Sequence, residues 1–164
     1  MAGRPIHTFE VLRTHRLTPH MIRVVFGGKG FDTFTPKVFT DSYVKFAIVP
    51  AGVEVAGLAQ PLTLDSFEEL PADQRPTVRT YTVRSVDTEQ RELTVDFVVH
   101  GDTGVAGPWA ASLAPGDPAY LMGPNGAYSP NPAADWHLLA GDESALPAIA
   151  AALEALPDTA VGKA

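Results

Sequence analysis

The sequence predicts a mainly β protein that closes with the opening unit of an α/β domain, and three observations carry that expectation. Short stretches between residues 20 and 124 alternate apolar and polar residues with period two and stop at glycine or proline. Fifteen prolines and fourteen glycines in 164 residues favour turns over long helices. Beyond Pro132 the apolar period changes from two to that of a helix.

The first strand is expected in HMIRVVFGG, residues 20–28, which alternates and ends at two glycines. The second, SYVKFAIVP at 42–50, is stopped by Pro50. Residues 51–77 read as an exposed excursion with a turn of helix at DSFEEL, whose carboxylates form a solvated face. VRTYTVRSVD (78–87) and RELTVDFVVHG (91–101), joined by the polar stretch Asp87–Gln90, form a hairpin. PWAASLA, from Pro108, reads as a short helix with proline in its first position. PAYLMGP at 118–124 is a further short strand. From the residues alone, this pattern suits a small antiparallel barrel or a sandwich. In the last segment Leu138–Ala140 suits a buried strand, followed by a Gly-Asp turn. Leu146, Ile149, Ala150, Leu153 and Leu156 then recur at helical spacing. Pro147 fits only in the first turn of that helix. The chain therefore divides into a β domain, 1–132, and the start of an α/β nucleotide-binding domain, 133–164, expected to be incomplete.

The totals exclude several chemistries. Twelve basic against nineteen acidic residues give a net charge of −7, which argues against nonspecific attraction to nucleic acid or anionic lipid. The absence of cysteine removes disulfides, thiolate metal sites and cysteine nucleophiles. The histidines at 7, 15, 20, 100 and 137 lack metal-ligand spacing, so no metal site is expected. No signal-like or bilayer-length apolar run is present, so the expectation is a cytoplasmic protein without stable membrane insertion.

Two stretches carry chemistry. In RTYT (79–82) an arginine offers forked donors for phosphate, a tyrosine a flat polarisable face, and threonines hydroxyls at the same edge. In HGDTGVAGPWAASLAPGD (100–117) glycine-rich backbone leads into a helix start, where unpaired N–H groups favour an anion. An irregular turn capping a helix explains that loop equally well.

Taken in order, TPHMIRV, RTYTVR, DFVVHG, the G-x-A-x-x-W loop and LLAGDESALPAI resemble the siderophore-interacting protein family, FAD-dependent ferric-siderophore reductases of the vibriobactin-utilisation type. The resemblance runs from about Phe9 to Leu156 and lies within the ferredoxin-reductase-like superfamily. It implies an antiparallel Greek-key barrel that binds FAD, with NADH or NADPH as electron donor. It also implies a ferric siderophore as substrate and a monomer that takes no nucleic acid. By position it implies that Arg79 contacts the FAD diphosphate, with Thr80 beside it. Tyr81 would pack on the isoalloxazine or ribityl, and Thr82 would lie at the reactive edge. Asp96, Val98 and His100 would line the flavin, while Ala106, Gly107 and Trp109 would hold the pyrophosphate. Asp142, Glu143 and Ser144 would open the nicotinamide side. No residue is expected to act as acid or base. The family's G-P-A-S is replaced here by Gly104–Gly107, with Val105 for the proline and Gly107 for the serine. A general flavin or ferric reductase and a non-catalytic flavin-binding module are the alternatives.

Overall fold

The computed structural model describes residues 3–101 and 103–164. Its centre is a closed antiparallel barrel with strand order β1-β2-β5-β4-β3-β6. The strands are β1 (His7–Thr18), β2 (Met21–Gly27), β3 (Tyr43–Ile48), β4 (Thr77–Asp87), β5 (Glu92–Val98) and β6 (Pro118–Asn125). Neighbours β2–β5 and β3–β6 are not consecutive in sequence, which makes the connectivity a Greek key. Closure leaves none of these strands as an edge.

The alternation of each strand explains which side faces inward. Val24 and Phe26 of β2, Val44 and Phe46 of β3, and Leu93, Val95 and Phe97 of β5 are fully buried in one core. On β4, Tyr81 and Val83 face that core. A register shift between Val83 and Ser85 then changes phase, so Val86 rather than Ser85 packs inward. The β4–β5 turn is held by Asp87 Oδ1, which accepts from the Glu89 and Gln90 amides at 2.9 and 2.8 Å.

Strand β1 has no counterpart in the reading of the sequence. Only Phe9 and Val11 are buried in it, and bulges interrupt its pairing with β2 at Val11/Arg13 and Arg16/Thr18. The polar outer half, Arg13–Thr18, therefore has no apolar alternation to betray it. The 51–77 excursion also differs from expectation, its last residue, Thr77, already opening β4. It has three short 3-10 turns, and Val55, Leu62 and Phe67 are buried with Ile6, Ala47 and Met122 in a second core outside the barrel. At DSFEEL the carboxylates face solvent, but Phe67 is 2% exposed, anchoring the segment.

Helix α1 (Ala106–Ser112) starts two residues before Pro108, which is thus its third residue and not its first. Proline is tolerated there because the first N–H groups of a helix have no intrahelical partner. Beyond the barrel, β7 (His137–Leu138), α2 (Leu146–Ala155) and β8 (Gly162–Lys163) form a parallel β-α-β unit. The buried strand expected at Leu138–Ala140 is instead His137–Leu138, with Leu138 exposed, and it is paired: the His137 and Leu139 amides donate to Val161 and Lys163 carbonyls, each at 2.9 Å. Helix α2 packs on β4, and Arg84 forms a bidentate ion pair with Glu154 of α2.

At the start of β1, burial pushes the His7 imidazole below its ordinary value, against a hydrogen bond to the Gly123 backbone. Its Nδ1 lies 2.7 Å from Thr33 Oγ1, and its ring meets Phe34 edge-on. A value lower in the folded than the unfolded state means the unfolded chain binds the extra proton first. This contribution is complete above about pH 6.5 and is lost as pH falls below that. The melting temperature of the wild type is therefore expected to fall more steeply than that of His7→Gln between neutral and mildly acidic pH. Parallel slopes would contradict the assignment.

Candidate functional site

The RTYT residues enter a cavity at the junction of the barrel and α2. Antiparallel pairing puts Thr82 opposite Tyr43, Tyr81 opposite Val44 and Thr80 opposite Lys45. The cavity, of about 470 Å3, is lined by Thr80, Tyr81 and Thr82 of β4, Asp96 and Val98 of β5, His100, and Tyr43 and Asp41. Ser144 and Pro147, from the start of the β-α-β unit, complete it. Its volume falls within the range of small-molecule and cofactor sites.

The Tyr81 ring packs on Phe97 at a centroid separation of 4.4 Å and on Phe46 at 6.2 Å. Burial raises the Tyr81 hydroxyl above its ordinary value, with the Arg79 charge opposing, so it is a neutral donor over the physiological range. Asp96 is 5% exposed, a carboxylate that needs a partner to be buried at all. Arg23 supplies it from β2: Nε donates to Oδ1 at 2.7 Å and the guanidinium NH2 to Oδ2 at 2.8 Å. This bond with Asp96 raises the Arg23 guanidinium above its ordinary value. The two residues face each other in the β2–β5 register. At the rim, Asp41 Oδ1 accepts from the Ala127 and Tyr128 amides at 2.9 Å each, fixing the loop beyond β6.

Of the sequence-predicted residues, Thr80, Tyr81, Thr82, Asp96, Val98, His100 and Ser144 therefore meet at one cavity. Arg79 lies outside its lining, exposed on β4, where it donates to the Val78 carbonyl at 2.9 Å. Ala106 and Gly107 are buried at the start of α1. A Cβ built on Gly107 would meet the Val98 carbonyl at 3.4 Å, ordinary contact, so this glycine is not demanded by packing. Trp109 packs on Phe46 and Phe97 at 5.4 and 5.6 Å and lines a separate cavity. Asp142 accepts from both the Ser144 amide and its hydroxyl, at 2.9 and 2.6 Å, which lowers its carboxyl from the ordinary value. Glu143 is exposed and lines none of these cavities.

Sequence reading missed Arg23, Tyr43, Asp41 and Pro147. Arg23 lies within TPHMIRV and Tyr43 in a plain alternating strand, but only the strand register brings either to the site. A second cavity of the same volume, about 470 Å3, lies on the outer wall between Arg4, Lys45, Leu64 and Asn125, and shares Tyr43 with the first. Among the described residues no group of three or more His, Asp or Glu is placed to hold a metal ion. None of the described helices is long and apolar enough to cross a membrane.

The Tyr81 cavity combines an aromatic wall, hydroxyls at one edge and a buried, paired carboxylate. This donor and acceptor set fits an amphipathic fused ring such as a flavin. Comparison with known proteins agrees. Residues 10–128 match the siderophore-interacting FAD-binding domain and residues 134–164 match the siderophore-interacting protein model. An uncharacterized protein of Mycobacterium tuberculosis is 66% identical over all 164 residues, which cover 58% of its length. The ferric vibriobactin reductase of Vibrio cholerae is 33% identical over 153 residues, 93% of this chain and 55% of that protein. A siderophore utilization protein from T. fusca superposes with a TM-score of 0.75 at 35% identity, covering 99% of this chain and 60% of that one. The chain thus spans just over half the length of the curated relatives it matches. With the match running through the strands that wall the cavity, the chain belongs to the siderophore-interacting family, and its barrel is the FAD-binding domain.

Proposed function

We propose that this chain is the FAD-binding portion of a ferric-siderophore reductase, working in the cytoplasm as a monomer with NADH or NADPH as donor. The observation that carries the reading is the convergence of Thr80, Tyr81, Thr82, Asp96, Val98 and His100 on one cavity closed by Ser144 of the β-α-β unit. In this reading residues 1–132 hold FAD and residues 133–164 begin the nucleotide-binding domain. The bound FAD would exchange the electron pair of a nicotinamide for single electrons delivered to chelated Fe(III).

The chain's own residues bind, orient and shield. Tyr81, backed by Phe97, gives the ring a rigid wall. Thr80 and Thr82 offer hydroxyls along its edge. Asp96, with both oxygens engaged by Arg23, keeps its remaining lone pairs for a donor on the occupant. Arg79, Ala106 and Gly107 flank the diphosphate. Asp142 fixes the turn that sets Ser144 at the nicotinamide side, with exposed Glu143 next to it. No residue need move a proton, and the release of iron follows from the weaker hold of hard oxygen donors on Fe(II).

The test uses the FAD-loaded chain, reduced photochemically without oxygen and mixed with ferric catecholate or hydroxamate siderophores. Reoxidation of the flavin is expected, with Fe(II) captured by a ferrous-specific chelator. A reduced, FAD-loaded chain that ignores every ferric chelate and reacts only with oxygen or quinones would overturn the siderophore assignment.

A further inference from the structure

Arg84 and Glu154 each stand where local preference alone would not put them. On β4, Val83 pairs with Val95 and Ser85 with Thr94, so Arg84 is the extra residue of a bulge. A bulge leaves that residue out of the ladder and re-aims its side chain. On α2, Glu154 lies in the last turn, Ala152–Ala155, whose sequence holds no cation. A carboxylate there faces the negative end of the helix dipole. The two misfits meet: Arg84 donates to both Glu154 oxygens, Nη1 to Oε2 at 2.8 Å. Only 14% of the Arg84 side chain is exposed. Its bond holds the Glu154 carboxyl below its ordinary value, and the charge of Arg23, the partner of Asp96, adds to the effect. Breaks of local preference collect at functional sites.

The other end of the same helix reaches the flavin cavity. Pro147, in its first turn, lines that cavity together with Ser144 of the preceding 3-10 turn, Glu143–Ala145. Asp142 accepts from the Ser144 amide and hydroxyl and, through its carbonyl, from the Ala145 amide, so this turn and the helix start form one stiff piece. Pro147 and Glu154 are about 10 Å apart along the helix axis. The apolar hold of α2 is narrow: Pro147 and Ala152 are buried, while Leu146 and Leu153 are half exposed. An ion pair at the far end therefore has leverage over the end at the cavity.

Resting on the flavin reading above, we infer that Arg84 and Glu154 are positioning residues: their ion pair pins the far end of α2 to the barrel and so holds Ser144 and Pro147 over the nicotinamide side of the flavin cavity. Neither residue lines that cavity, so they act through the helix and not on the ring. The Arg23–Asp96 pair does the opposite job, since Asp96 is part of the wall itself.

The experiment takes the FAD-loaded chain, photoreduced without oxygen, and measures its rate of reoxidation by benzoquinone, a small neutral acceptor. The quinone takes up the electron pair and protons that the reduced flavin loses, so the rate reports access to the ring. Glu154→Gln and Arg84→Met should each react faster, by up to about fivefold, the range open to an exposed pair. The melting temperature of Glu154→Gln should stay close to that of the wild type. Exchanging the partners, Arg84→Glu with Glu154→Arg, should recover part of the difference, which loss of packing alone would not do. Glu92→Gln breaks the Arg13–Glu92 pair between β1 and β5 and should react like the wild type. An unchanged rate in Glu154→Gln, or an equal acceleration in Glu92→Gln, would overturn the positioning role while leaving flavin binding intact. A wild type that takes up no FAD would overturn the flavin reading itself.

Discussion

Phe97→Ala is expected to lower stability by about 3–5 kcal/mol, a large share of the roughly 5–15 kcal/mol that holds a domain of this size together. The ring is fully buried and stacks with Phe26, Phe46, Tyr81 and Trp109, so its removal leaves a cavity bounded by aromatic rings that cannot easily collapse. It also removes the support behind both Tyr81 and Trp109. Denaturant unfolding should show the full loss, and FAD affinity should fall even where the variant remains folded. Phe97→Leu, which refills most of the space, should recover the larger part of the stability but less of the affinity, because it restores volume without the flat support. A Phe97→Ala protein with wild-type stability and wild-type FAD affinity would contradict the placement of this ring.

The second large effect is electrostatic. Arg23→Met should destabilise the fold by about 2–4 kcal/mol, because it leaves the Asp96 carboxylate buried without its counter-ion. The figure lies toward the lower side of what breaking a buried pair costs, since Arg23 keeps 33% of its side chain exposed and water can partly replace it. The double variant Arg23→Met with Asp96→Leu should regain most of the loss. A buried pair replaced by apolar side chains is often no less stable than the pair itself. FAD binding should not return with it, because the acceptor in the cavity wall has gone. Equal melting temperatures for the wild type and Arg23→Met would show that water satisfies Asp96 and that the pair matters little. By contrast, Glu154→Gln, whose carboxylate is 61% exposed opposite Arg84, should change stability by no more than about 1 kcal/mol.

The difference between Asp96 and Arg23 shows what was legible in the sequence. Asp96 was assigned to the flavin wall through the family resemblance, on the DFVVHG pattern that holds it, and it does line the cavity. Arg23 lies 73 residues away, on a strand that becomes its neighbour only through the Greek-key crossing. Nothing local specifies that register. Tyr43 escaped for the same reason, being set opposite Thr82 by pairing alone. Strand β1 was hidden by bulges and by a polar outer half, and β8 by its length of two residues. Phe67 was masked by the acidic residues around it, since composition shows a segment's average and not the one side chain that anchors it. The RTYT strand was legible because its inward residues, Tyr81 and Val83, keep phase until the bulge that follows.

Among the described residues, cavities of about 470 Å3 lie beside Tyr81 and Val98 and on the outer wall at Leu64, and the one beside Tyr81 and Val98 should hold the flavin ring. The direct test is an FAD titration, followed by the visible circular dichroism that a bound flavin acquires in an asymmetric site. The proteins compared are the wild type, Val98→Arg, which obstructs that cavity, and Leu64→Trp, which obstructs the outer-wall cavity. Saturable binding is expected in the wild type and Leu64→Trp and should be lost in Val98→Arg, with all three proteins folded. Full binding by a folded Val98→Arg, or loss confined to Leu64→Trp, would place the flavin elsewhere and contradict the account.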